Sequence, residues 1–212
     1  MKKEILGKKL GMTQIFAPNG LIIPVTVVEA GPCAVLQKKT LEKDGYEAVK
    51  VAFLGTRENL LNKAELGEFK KANVSARKHL AEIKLDGMEK LEVGAEIKCD
   101  IFKEGEMVDV SGLTRGRGFT GVIKRWNQHR LKMTHGTGPV HREVGSMGSN
   151  STPSRVFKQK NMPGQYGNEQ VTIQNLEIVK VDEARNVLLI RGAIPGNRDG
   201  LVIIKSAIKA ND

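Results

Sequence analysis

A chain of 212 residues, 40% of them apolar, can bury a core in one or two domains, and with no run near the roughly eighteen apolar residues of a membrane helix it is not expected to span a bilayer. Thirty-four Lys and Arg against 24 acids give a net charge of +10, a balance that favours a polyanionic partner. Nine aromatic residues are few for a protein that binds single strands by stacking bases on rings.

The opening residues, MKKEILGKKLGMTQIF, contain no apolar stretch after their lysines, so a secretory leader is not expected. Residues 12–16 and 21–29 flank Asn19-Gly20, a pairing that predicts a β-hairpin. Cys33 and Cys99 lie far apart with no CxxC partner, which predicts reduced thiols and a cytoplasmic chain. Residues 33–37 and 48–53 read as further strands. Residues 58–84 turn helical, with Leu60, Leu61, Leu66, Phe69 and Leu80 among Lys and Glu. Strand patterns return at 107–110, 171–179, 187–191 and 201–205, with a hairpin turn at 182–186. Short strands at this spacing predict a mainly β fold built on a barrel.

The charge is concentrated. Between Ser111 and Asn168 stand Arg115, Arg117, Lys124, Arg125, Arg130, Lys132, Arg142, Arg155, Lys158 and Lys160, against Glu143 alone. Three of the four histidines (His129, His135, His141) and ten of the 23 glycines share the segment. Its long apolar residues follow neither a helical nor a strand period, so it cannot build a core of its own. Such a segment is either disordered or takes its order from a partner, and a segment rich in Arg and Gly that orders against RNA accounts for both features. Arginine bridges phosphates and stacks on bases, and glycine lets the backbone approach them closely.

Within it, Gly116-Arg117-Gly118-Phe119-Thr120-Gly121 matches the G-x-G-x-x-G pattern. The following VIKRWNQHR makes a poor packing helix and no Walker lysine-serine pair follows, so no nucleotide cofactor is expected. The histidines are six apart, where a helical metal site needs three or four, so no metal is expected. Trp126, between Arg125 and Asn127, fits a ring capping the barrel edge or one stacked on a base equally well. No nucleophile–base set or carboxylate pair stands out, so the chain is read as a non-enzyme without a small-molecule substrate. A cationic membrane-surface helix is disfavoured by the many glycines and the lack of periodicity.

The stretch FKEGEMVDVSGLTRGRGFTGVIKR resembles the signature of the ribosomal protein L-three family of the large subunit. Phe102, Asp109, Gly112, Thr114, Gly116, Arg117, Gly118, Gly121 and Arg125 fall on its defining positions. LGKKLGMTQIF is similar to the family's first barrel strand, HGTGPVHREVGSMG and VFKQKNMPGQYGN to its arm, and VTIQNLEIV and LLIRGAIPG to its closing strands. The length resembles the bacterial form. The resemblance implies a six-stranded translation-type β-barrel over 1–57, 85–111 and 169–212, a small α-rich insertion at 58–84, and a long extended basic arm at 112–168. It implies large-subunit ribosomal RNA and neighbouring ribosomal proteins as partners, early binding that nucleates assembly, and an arm that braces RNA near the peptidyl-transferase centre without catalysing anything. The residues expected at RNA are Lys8, Lys9, the ten arm cations, Trp126, the three arm histidines, and Ser149, Asn150 and Ser151 at the arm tip. Many bacterial relatives carry glutamines beside the tip asparagine, one of them methylated in some lineages. Serines stand there in this chain, so that modification is not expected. Val144 replaces a proline frequent in the family, which loosens the local path.

Overall fold

The computed structural model describes residues 2–88 and 91–209. Two compact units divide the chain, one formed by Met1–Leu113 with Gln170–Asp212 and the other by Thr114–Glu169.

The first unit holds a closed antiparallel barrel of six strands: Glu4–Phe16 (β1), Ile22–Ala30 (β2), Met107–Leu113 (β7), Gln170–Asp182 (β10), Val187–Arg191 (β11) and Leu201–Ser206 (β12). Around the barrel they run β1-β12-β7-β10-β11-β2. Closure leaves no open edge in the barrel itself. Period-two alternation sends one set of side chains inward: Val108 and Val110 from β7, Leu188 and Ile190 from β11, Val202 and Ile204 from β12 are all fully buried or nearly so. The expected six-stranded barrel is thus present, as are both hairpins. Ala17 N–H donates to Leu21 O at 2.9 Å to close the first turn, with Gly20 at φ 80°.

One strand irregularity is held by a buried carboxylate. The β7–β10 register shifts between Ile173 and Leu176, and Asn175 adopts φ 56°. Asp109, 3% exposed, accepts the Asn175 N–H at 2.9 Å on one oxygen and the Ile208 N–H at 3.4 Å on the other. A bulge frees a backbone donor that the ladder cannot satisfy, and Asp109 satisfies it.

Two expectations need correction. Cys33–Lys39 (β3) and Ala48–Gly55 (β4) are strands but not barrel strands. They form a separate four-stranded sheet with Arg77–Ile83 (β5) and Glu96–Ile97 (β6), ordered β5-β4-β3-β6. The helical reading of 58–84 holds only for Lys63–Ala72 (α2), which follows a short helix at Leu41–Asp44 (α1). The rest comprises a 3-10 turn at Glu58–Leu60 and strand β5. The reason is double coverage of β5. Ile83 and Ala81 belong with the main core, while Leu80 packs with Phe69 and Ala72 of α2 on the opposite side. A strand apolar on both faces loses its alternation and cannot be told from a helix by period alone. The bounds of α2 are set by a capping box, with Asn62 N–H donating to Glu65 Oε2 at 2.9 Å, and by left-handed Asn73 at its end. A single hydrophobic cluster takes in both sheets, from Val28 and Ile204 to Val49, Val51 and Phe53.

Candidate nucleic-acid interface

The second unit, Thr114–Glu169, is an insertion between two strands that are already paired. Leu113, the last residue of β7, lies opposite Gln170, the first of β10. The inserted chain leaves and returns as a ribbon. Thr114 N–H donates to Glu169 O at 2.9 Å, Arg117 N–H to Tyr166 O at 2.8 Å, and Tyr166 N–H to Gly118 O at 3.0 Å. Phe119–Thr120 (β8) and Gly164–Gln165 (β9) then pair for two residues each. Gly167 lies at φ 68°, and a Cβ there would collide with the Arg115 carbonyl oxygen, so only glycine permits this crossing.

Past β8 comes a helix of five residues, Val122–Trp126 (α3), begun at Gly121 and ended by left-handed Asn127. The G-x-G-x-x-G pattern therefore shapes a ribbon and a short turn of helix. Arg125 and Trp126 at its end converge on one acceptor. Arg125 Nη1 and Trp126 Nε1 each donate to the Met162 carbonyl at 2.9 Å, and the guanidinium carbon lies 5.0 Å from the indole centroid. A Cβ at Gly164 would lie 2.6 Å from Arg125 Nη1, so a side chain there would displace the guanidinium from its present place. The single tryptophan thus has an internal anchor for its N–H while the residue stays 43% exposed.

Beyond this anchored base the unit has little interior. Among its described residues only Thr120 and Val122 are buried. Arg115, Arg117, Lys124, Arg130, Lys132, Arg142, Arg155, Lys158 and Lys160 are exposed, and Arg125 is half-buried. Among the described residues none of the ten cations lies in an ion pair. His129 and His135 are exposed, and His141 Nδ1 lies 3.1 Å from the Lys132 carbonyl. Ser149, Asn150 and Ser151 are exposed together. Among the described residues no three His, Cys, Asp or Glu side chains gather as a metal site.

Large apolar side chains also face outward in this unit. Phe119 is 81% exposed and Phe157 62%, with Met133 and Met147 also open. The Arg155 guanidinium lies 5.7 Å from the Phe157 centroid. The site reading from sequence omitted these residues, although both phenylalanines are interleaved with cations (Arg117-Gly-Phe119 and Arg155-Val-Phe157-Lys158) and that interleaving was visible.

The two lysines expected at RNA from the first strand both have partners within the chain. Lys9 is only 7% exposed, and its ammonium donates to the Ile194 carbonyl at 2.8 Å and the Gly196 carbonyl at 3.2 Å. A buried ammonium needs such acceptors, and through them Lys9 ties β1 to the β11–β12 connection. Lys8 is half-buried and paired with Asp199 at 3.0 Å.

The chain is thus a closed barrel interrupted by a cationic insertion with little interior, whose ten cations lie in no ion pair among the described residues. The family model described as Ribosomal protein L3 matches residues 60–186, which takes in α2, β7, β10 and the whole inserted unit. The chain belongs to the ribosomal protein L3 family, and is a structural protein of the large ribosomal subunit. Among the described residues no helix is long and apolar enough to cross a membrane.

Proposed function

We propose that Thr114–Glu169 binds large-subunit ribosomal RNA, taking up its final shape between RNA helices while the barrel docks on their phosphates. The observation that carries this reading is the set of ten cations held without a single carboxylate partner among the described residues, on a unit with almost no interior. Charges left unpaired on a folded surface repel one another, and a polyanion relieves that repulsion by giving up its counterions. The outward Phe119, Phe157 and Trp126 offer faces for bases or riboses once water is displaced. Phosphate contacts position the protein and carry little sequence information, so the fold of the RNA supplies the specificity.

On this reading the protein binds early, nucleates assembly and braces nucleotides near the peptidyl-transferase centre through Ser149, Asn150 and Ser151. It performs no chemistry there, since serine and asparagine without a base neither attack nor transfer protons. Excision tests the proposal. Because Leu113 and Gln170 face each other across the ladder, replacing 114–169 with an Asn-Gly turn should leave a folded barrel. That barrel should bind large-subunit RNA weakly and support little assembly. Normal assembly with the excised chain would refute the proposal.

A further inference from the structure

Strand β1 outruns the barrel. It pairs with β12 only from Glu4 to Lys8, and β2 pairs with β11 only from Val25 to Glu29. From Gly11 to Phe16 the ladder of β1 runs to β2 alone, and Gln14–Phe16 with Ile22–Pro24 extends past the β2–β11 ladder as a ribbon of two strands. No charged residue occurs between Leu10 and Val28, in a chain of net charge +10.

The ladder fixes which groups the ribbon shows. Gln14 lies opposite Pro24, whose carbonyl turns away from β1 to accept the Gly192 N–H at 2.8 Å. Gln14 and Pro24 therefore form a non-hydrogen-bonded pair, and the Gln14 N–H and C=O point out of the ribbon. By the two-residue period the backbone groups of Met12 and Phe16 do the same. The β2 edge is blunted by Pro24, which has no N–H. From Gly11 to Phe16 the β1 edge has no proline, lysine or inward charge of its own, and just before it Arg198 Nε donates to the Leu10 carbonyl at 2.8 Å. One face of the ribbon carries Met12, Phe16 and Ile22, which are 53%, 66% and 56% exposed, with Phe16 directly across from Ile22.

We infer that this ribbon is a protein-docking element, which receives a β-strand from a neighbouring large-subunit protein along the open edge of β1, with apolar side chains seated over Met12, Phe16 and Ile22. Charge decides the class of occupant. RNA is held by neutralising phosphates, and residues 11–24 carry no cation, the Arg198 guanidinium being engaged at the Leu10 carbonyl where the ribbon begins. An uncharged face with a row of free N–H and C=O groups matches an uncharged strand. The inference rests on the chain's place in the large subunit and stands apart from the RNA role of Thr114–Glu169.

The test uses the full chain assembled into purified large subunits. A photoreactive benzoylphenylalanine replaces Phe16 in one preparation and Phe157 in another. Irradiation at position 16 should give one product, with a stoichiometric resident ribosomal protein, mapping to a strand of that protein. Gln14→Pro removes the outward N–H while leaving the ladder to β2 intact. It should lower the crosslink yield about fivefold, the loss expected of one backbone hydrogen bond. Ile22→Asp, which leaves the backbone unchanged, should lower it as well. Neither change should alter RNA affinity or its salt dependence in the free chain. Crosslinking at position 16 to ribosomal RNA, to a second copy of the chain, or to nothing would overturn the inference, as would a yield indifferent to both substitutions. Failure of the probe at position 157 to reach RNA counts instead against the RNA reading, so the two outcomes are separable.

Discussion

Neutralising four arm cations gives a quantitative test of the electrostatic reading. Each phosphate neutralised on a single or double strand contributes about 0.7 to 0.9 to the slope of log affinity against log salt. Ten cations free of carboxylate partners among the described residues predict a slope near −7 to −9 for an RNA fragment that engages the whole unit. Arg115, Arg117, Lys158 and Lys160 are exposed, and their side chains take part in no internal ion pair among the described residues. Changing all four to alanine should therefore make the slope shallower by about 3 to 3.5, and at 0.1 M salt weaken binding about a thousandfold. Barrel stability should hold, because none of the four is buried. Filter binding to a large-subunit RNA fragment over a range of KCl concentrations reads the slope, and circular dichroism checks the fold. A wild-type slope shallower than about −3, or a quadruple variant with the wild-type slope, would refute the reasoning.

Other substitutions separate the parts of the molecule. Gly167→Ala forces a left-handed alanine against the Arg115 carbonyl at a local cost of at least about 1 to 2 kcal/mol. Protease cleavage within 114–169 should rise while the barrel melts unchanged, and loss of both together would show that the ribbon base is not locally independent. Lys9→Ala leaves two carbonyls without their ammonium and should cost about 3 kcal/mol in a urea melt, with no change in the RNA salt slope. A changed slope would restore Lys9 to the RNA interface. Burial pushes the Cys33 thiol up from 9.0 to about 11, so the folded state keeps its proton where the unfolded state has lost it. Stability from this group is full below about pH 9 and declines toward pH 11, by about 2 to 3 kcal/mol, and the decline should be missing in Cys33→Ala. The same burial should make Cys33 slow to react with Ellman's reagent at pH 8 until the chain is unfolded, and rapid labelling of the native protein would contradict it.

The strands and turns of the barrel were legible because their signals are local. Asn19-Gly20 marks its hairpin by backbone chemistry, and β11 and β12 alternate cleanly between core and surface. Apolar patterning marked only residues 12–16 of β1, because Gly7, Lys8 and Lys9 interrupt any apolar period, and the earlier part from Leu6 came from the family resemblance. Strand β5 read as helix because two apolar layers sandwich it. The division of strands between barrel and second sheet was hidden for a similar reason, since pairing partners leave no mark on a single strand. In the candidate site, the density of cations announced itself. The role of Lys9 did not, since a lysine that feeds two buried carbonyls looks the same in sequence as one that meets water. Nor did the shared Met162 carbonyl, which any residue could supply.

Strand β12 lies between β1 and β7, although it is the latest of the described strands to be synthesised. Until it is made, the barrel has a seam flanked by its earliest strand, and Thr114–Glu169 leaves the synthesis machinery while that seam is still open. The cationic insertion thus becomes available before its scaffold is sealed, and a nascent chain stalled short of residue 201 would hold two bare strand margins that invite mispairing.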